Sequence, residues 1–233
     1  MTLQQKFDYY VKTSKPIQLP EKCISISDVH AGSGGSNDPL VDSGANSVII
    51  DLLKEYFSKG YSLLKNGDWW DVWRGYDLVK VFKAHTDLVE MADAYKHANR
   101  IYETLGNHER DLCSYQEAII FQGFGKNIFM YHGYFGDWPN DEGWEVGKWA
   151  VRVADELGID PYTSPWPSNA KRHEEVRKMV YELSNQHLGW DFLWGHTHHF
   201  SNEGNNHNSG CPLNPDGLRG YLIEEGNFIP IKR

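Results

Sequence analysis

What most constrains the fold is a rhythm of five short, largely apolar runs, each ending abruptly in histidine, aspartate or asparagine. Lys22 to Ser27 gives way to Asp28 in S-D-V-H, and Tyr61 to Lys65 to Asn66-Gly67-Asp68. Asn99 to Leu105 leads into Gly106-Asn107-His108-Glu109, Asn127 to Tyr131 into His132, and Trp190 to Trp194 into the W-G-H-T-H-H stretch. Apolar runs of this length bounded by turn residues read as buried strands. Between them, Ile49, Leu52, Leu53 and Tyr56 keep a helical period over Ala45 to Lys59, which Gly60 stops, and Leu78, Val81, His85, Leu88, Ala92 and Tyr95 mark one long helix. Strand alternating with helix predicts an α/β fold. In open α/β sheets ligands bind beyond the carboxyl ends of the strands, where every polar cluster falls.

The remaining stretches depart from this rhythm. Residues 1 to 20 are expected to form a leading arm or short helix, with Phe7, Tyr10 and Val11 at helical spacing before Pro16 and Pro20. Ser114 to Gln122 reads as a short helix. Within 133–189, a cap insertion and the helix after it, residues 133 to 169 combine Trp138, Trp144, Trp149 and Trp166 with Pro139, Pro161, Pro165 and Pro167, and Val146, Ala150, Val153 and Leu157 give them one helical face. This segment is expected to be an inserted cap over the crevice, its tryptophans packing it against the sheet because aromatics supply so much core area. A following helix turns Val176, Met179, Val180 and Leu183 inward, and the chain closes with a hairpin at Glu225-Gly226-Asn227. The 233 residues suit a single domain with a substantial core.

Composition narrows the function classes. Twenty-three basic against 32 acidic residues leave a net charge of −9, which disfavours a nucleic-acid binder that relies on general attraction to phosphate backbones. Cys23, Cys113 and Cys211 are odd in number and widely spaced, which fits a reducing cytoplasm better than a disulfide framework. The opening residues carry no apolar run of the signal-peptide kind, and no stretch approaches the roughly 20 apolar residues that span a bilayer.

Taken in order, S-D-V-H, N-G-D, G-N-H-E, Y-H-G and G-H-T-H resemble the motif series of the calcineurin-like metallophosphoesterases, over roughly residues 22 to 224. The resemblance implies a four-layer αββα sandwich with a helical cap insertion, and two divalent cations. Asp28, His30 and His198 would hold one, Asn107, His132 and His196 the other, and Asp68 would bridge them. Carboxylate and imidazole donors accept Mn, Fe, Zn or Ni, with Mn favoured here. Such a pair activates a shared water and clamps phosphoryl oxygens for in-line attack. The same resemblance makes His108 the residue that protonates the departing oxygen, and Asp71 the acid that orients it.

The departures are informative. Protein serine/threonine phosphatases place an arginine where this chain has Val72, so that reading loses support. Arg74 and Arg110 are read as surface ion-pair residues, and Glu109 as structural. G-D-W-W-D-V-W is closer in style to the subgroup typified by UDP-diacylglucosamine pyrophosphohydrolase, although that enzyme's G-N-R-D is G-N-H-E here. The expected function is hydrolysis of a phosphomonoester, phosphodiester or pyrophosphate bond in a small, nucleotide-linked substrate. Two rivals are a nuclease or nucleic-acid phosphatase and a non-catalytic interaction scaffold of the same fold. His85, His97, His173 and His187 fall on predicted helices and read as solvated or core residues, His199 as an outer neighbour of the site, and His207 as peripheral.

Overall fold

Alternation along the strands sorts the apolar side chains into three layers. The computed structural model describes residues 1–35, 38–74, 77–112, 116–156, 167–213 and 217–233. The chain begins with α1 (Leu3–Thr13), β1 (Ile17–Gln18), β2 (Lys22–Ile26), α2 (Pro39–Asp42), α3 (Ala45–Ser58) and β3 (Ser62–Asn66). It continues through α4 (Leu78–Ala84), α5 (Thr86–His97), β4 (Ile101–Thr104), a 3-10 helix (Asn107–Leu112), β5 (Ala118–Gly123) and β6 (Lys126–Tyr131). Then come α6 (Trp144–Glu156), α7 (Pro167–Gln186), β7 (Asp191–Trp194), β8 (Ser201–Glu203), β9 (Asn206–Asn208), β10 (Arg219–Glu224) and β11 (Asn227–Lys232).

Two sheets result. One has the order β11-β10-β2-β3-β4 and the other β1-β5-β6-β7-β9-β8. In the first, Ile24 and Leu63 face α3 and α5, where they join Ile49, Leu52, Leu88 and Tyr95. Their neighbours Cys23 and Leu64 turn the other way and meet Ile128, Met130 and Leu193 of the second sheet. On that sheet's far side Phe129, Tyr131, Phe192 and Trp194 pack against Leu3 and Phe7 of α1 and Val176, Val180 and Leu183 of α7. Helix, sheet, sheet, helix is the four-layer sandwich expected from the sequence.

What positions the site is strand direction. β2, β3 and β4 run parallel side by side, with Ile24 opposite Leu63 and Leu64 opposite Tyr102. β6 and β7 are parallel in the other sheet, with Phe129 opposite Phe192. Five carboxyl-terminal strand ends therefore open on one edge of the sandwich.

Three local expectations are corrected. The long helix is two, α4 and α5, because His85 leaves helical geometry at φ −121° and ψ 47° and places Nε2 2.7 Å from the carboxylate of Asp38. Within Ser114 to Gln122 the described residues give β5 rather than a helix: β-branched Ile119 and Ile120 favour a strand, and the run pairs antiparallel with β6. Val146, Trp149 and Trp138 are exposed by 55%, 65% and 58%, so these two tryptophans do not pack that segment against the sheet. Ser114, Cys113, Leu157, Pro161, Pro165 and Trp166 lie outside the described residues.

Candidate metal centre

The loops leaving β2 and β3 stay laced together beyond the ladder. Asp28 N–H donates to the Gly67 carbonyl, His30 N–H to Asp68 and Ala31 N–H to Trp69, at 2.9–3.1 Å. This lacing turns the backbone sharply. Asp28, His30, Asp68, His196 and His198 all adopt left-handed φ, between 48° and 68°. They are five of the eight non-glycine residues described in that region of backbone space, which costs of order 1 kcal/mol each and persists only where surroundings impose it. Strain concentrated on the residues that carry the motif marks the place where the fold is built for something other than stability.

Close packing between the loops depends on glycine. A Cβ at Gly106 would collide with the carboxylate and backbone nitrogen of Asp68, and one at Gly195 would lie 2.5 Å from both Asp28 Oδ2 and Ser27 Oγ. Glu109 completes the framework. Its buried carboxylate accepts from the backbone N–H groups of Asp68, Trp69, Trp70 and Gly106 at 2.9–3.2 Å, and Lys65 Nζ stands 3.7 Å away. Glu109 therefore fixes the turn that aims Asp68.

Two groups of donors come together at these strand ends. Asp28, His30 and His198 each bring one donor atom within 4.8 Å of the others, and so do Asp68, His132 and His196. The sets adjoin: Asp68 Oδ2 is 3.0 Å from His132 Nε2 and 4.0 Å from His30 Nε2, and Asp28 Oδ1 is 3.4 Å from His198 Nε2 and 3.7 Å from His132 Nε2. Asp68 thus faces both sets. His132 gives Nδ1 to the Asn66 carbonyl at 2.9 Å, which turns Nε2 toward the two carboxylates.

Whether cations suit these residues can be read from their chemistry. Asp28 and Asp68 are fully buried side by side, an arrangement that requires positive charge nearby. Burial opposes charging His132, yet Asp68 and Asp28 push its pKa up to about 9, so without metal a proton takes on part of that duty. His30 is held down at about 3 by burial and by His108, which keeps it in the neutral form that binds metal. The buried Asn107 Oδ1 makes no hydrogen bond. The donor sets suit metal cations.

Beside this pair stands His108, 4.8 Å from His30 between ring centroids and stacked on Trp73 at 4.5 Å. Its Nδ1 is 2.9 Å from Asp71 Oδ1. Burial disfavours the imidazolium, but Asp68 and Asp71 outweigh it and raise the His108 pKa. Asp71 is drawn below the usual carboxylate range against its own burial by His108, His30 and Arg74. Although His30, Asp71 and His108 also lie within metal-holding distance of one another, the Arg74 guanidinium 3.3 Å from Asp71 already supplies that carboxylate with a cation. The Arg74 pair is buried rather than on the surface. Arg110 is part-buried, donating to the carbonyls of Asn140 and Asp141.

Sequence reading missed Asp137 and its neighbours. Asp137 Oδ2 is 2.8 Å from His196 Nε2 and accepts from Asn140 Nδ2 at 2.7 Å, while Asn140 Oδ1 accepts from Asn107 at 3.3 Å. Asp137 follows His132 by five residues in no motif, so only the folded chain connects it to His196. His207 lies away from the centre, between Asp191 and a stacked Phe228. His199 is exposed and 6.1 Å from the His173 ring.

No protein-family model matches the chain, and no curated protein matches it. Among solved structures it is similar to a conserved uncharacterized protein from Streptococcus pneumoniae TIGR4, described as a predicted phosphoesterase, with 13% identity over 93% of this chain and 100% of that one and a TM-score of 0.39. A single mutant of Vps29 from Entamoeba histolytica is also similar, at 13% identity over 91% of this chain and 99% of the other, with a TM-score of 0.43. No helix among the described residues is long and apolar enough to cross a membrane.

Proposed function

We propose that this chain is a calcineurin-like metallophosphoesterase that hydrolyses a phosphoester or pyrophosphate bond with two divalent cations, Mn²⁺ being the favoured ion. The observation that carries the reading is the meeting of Asp28, His30 and His198 with Asp68, His132 and His196 at the ends of β2, β3, β6 and β7, with the His108–Asp71 pair alongside. Asp28, His30 and His198 would hold one ion, Asn107, His132 and His196 the other, and Asp68 both. When bound, the cations would supply an activated water and neutralise charge on the phosphoryl oxygens.

The chain's own residues account for the proton. Asp71 engages Nδ1 of His108, so the proton passed to a leaving oxygen comes from Nε2, and the raised pKa favours the protonated form that can give it. Trp73 stacks on one face of the ring and limits its movement. We take the chain as one domain in which residues 1–20 are a leading arm and segment 133–189 caps the centre. The contact of Asp137 with His196 supports this last point. A small, nucleotide-linked substrate and a reducing, cytoplasmic setting complete the reading, supported by the acidic balance and by free, buried Cys23 and Cys211.

Metal analysis with turnover assays tests it. The Mn²⁺-loaded protein should bind two ions and hydrolyse at least one of p-nitrophenyl phosphate, its bis-ester and a UDP-sugar. His108→Asn should keep the metal and lose turnover. Two ions with turnover unaffected by that substitution would defeat the assignment of His108. Wild-type protein that binds metal without hydrolysing any of these would shift the reading to the interaction scaffold.

A further inference from the structure

One cation beside the candidate centre is held by the site without being used up by it. Arg172, on α7, places Nε 3.3 Å from Asp137 Oδ1, and the other oxygen of Asp137 is the one facing His196 at 2.8 Å. Asp137 is buried and Arg172 Nε is buried against it, yet 32% of the Arg172 side chain is exposed. Among the described residues Asp137 is its only acidic partner. The nearby arginines are otherwise engaged, Arg74 in a buried pair with Asp71 and Arg110 on two carbonyls and near Glu117.

The position has chemical meaning. His108 adjoins His30 of the first donor set, whereas Arg172 reaches His196 of the second through one carboxylate. A phosphoryl group lying across both sets would turn its leaving oxygen toward His108 and non-bridging oxygens toward Arg172. A guanidinium offers a planar fork of donors that matches such oxygens two at a time. Asp137 suits the task of fixing it, because one rigid carboxylate sets Arg172 and His196 in a constant relation.

Resting on the metallophosphoesterase reading, we propose that Arg172 grips the phosphate of the ligand and that Asp137 is the positioning residue that sets Arg172 and His196 together. The ligand class is an oxyanion with several equivalent oxygens, inorganic phosphate being the simplest member. Neither residue belongs to the motif series, and the grip comes from α7 rather than from a strand end.

The test is inorganic phosphate binding to the Mn²⁺-loaded full chain, measured by calorimetry with metal content determined on the same samples. Arg172→Ala should weaken phosphate binding about 10- to 100-fold, the range for a lost charge-assisted hydrogen bond, with both ions retained. Arg172→Lys should recover part of the loss, since it restores charge without the fork. Asp137→Asn should weaken phosphate and also loosen Mn²⁺ by about 10-fold or more, as happens when a metal-binding histidine loses its orienting partner. Equal phosphate affinity in wild type and both Arg172 variants, with metal intact, overturns this proposal alone. Wild-type protein that takes up no Mn²⁺ overturns the parent reading and this one with it.

Discussion

Two histidine–aspartate pairs of similar length occupy different parts of the molecule. His108 Nδ1 meets Asp71 Oδ1 at 2.9 Å, and His207 Nε2 meets Asp191 Oδ1 at 3.2 Å. The first stands at the carboxyl ends of parallel strands, between His30 and Trp73, with two buried carboxylates nearby. The second joins β7 to β9 inside a sheet, its ring stacked on Phe228 at 3.7 Å and its acid also held by Lys126 at 3.1 Å. An imidazole on a carboxylate is therefore no site in itself. Position at converging strand ends, among groups whose charges remain to be balanced, is what separates the pair proposed to react from the one that joins two strands.

That contrast can be broken at several points. The largest effect is expected from Asp68→Asn, which removes a carboxylate that faces both donor sets: turnover should fall by more than about 100-fold and both ions should bind more weakly. Two tightly held ions in this variant, counted by metal analysis, would contradict the shared role. His108→Asn should cost about 10² to 10⁴ in turnover at unchanged metal content. Asp71→Asn should cost less, about 10- to 100-fold, because the imidazole remains but loses its orienting partner. A kcat equal to wild type would argue against that assignment.

The structural pair should respond in a different observable. His207→Asn is expected to leave kcat within about twofold and to lower unfolding free energy by about 1 to 3 kcal/mol, the cost of a hydrogen bond to a charged group. Burial raises the Asp191 pKa, but His207 and Lys126 more than reverse this and hold it below its ordinary value. Its stabilisation is accordingly present above about pH 4 and lost as pH falls through the lowered pKa. Denaturant titrations of Asp191→Asn should show the deficit at pH 7 and its progressive shrinkage as pH falls below about 4. A deficit that does not shrink as the pH is lowered would mean that packing around Phe228, and not charge, holds this region.

Much of the architecture was legible because burial imposes period on sequence. β2, β3, β6 and β7 appear where short apolar runs end at Asp28, Asp68, His132 and His196, and α3 where Ile49, Leu52 and Leu53 recur. Periodicity failed where tertiary contacts override it. His85 sits at a helical position yet breaks the helix for the sake of Asp38, and Ile119 and Ile120 follow a partner strand rather than the pattern around them. Val146 and Ala150 of the apolar stripe have helical spacing and are both exposed, because spacing does not say which face is covered.

The sequence alone determined the alternation of strand with helix and the kinds of donor at each strand end, because both are local: a strand's burial pattern and the residue that follows it lie within a few positions of each other. Only the tertiary structure decided that Glu109 would hold the Asp68 turn, and that Asp137 would lie between His196 and Arg172. These contacts join residues 35 to 59 positions apart, and their geometry is set by how the loops pack once the two sheets have met. Distances of that kind leave no mark on sequence spacing.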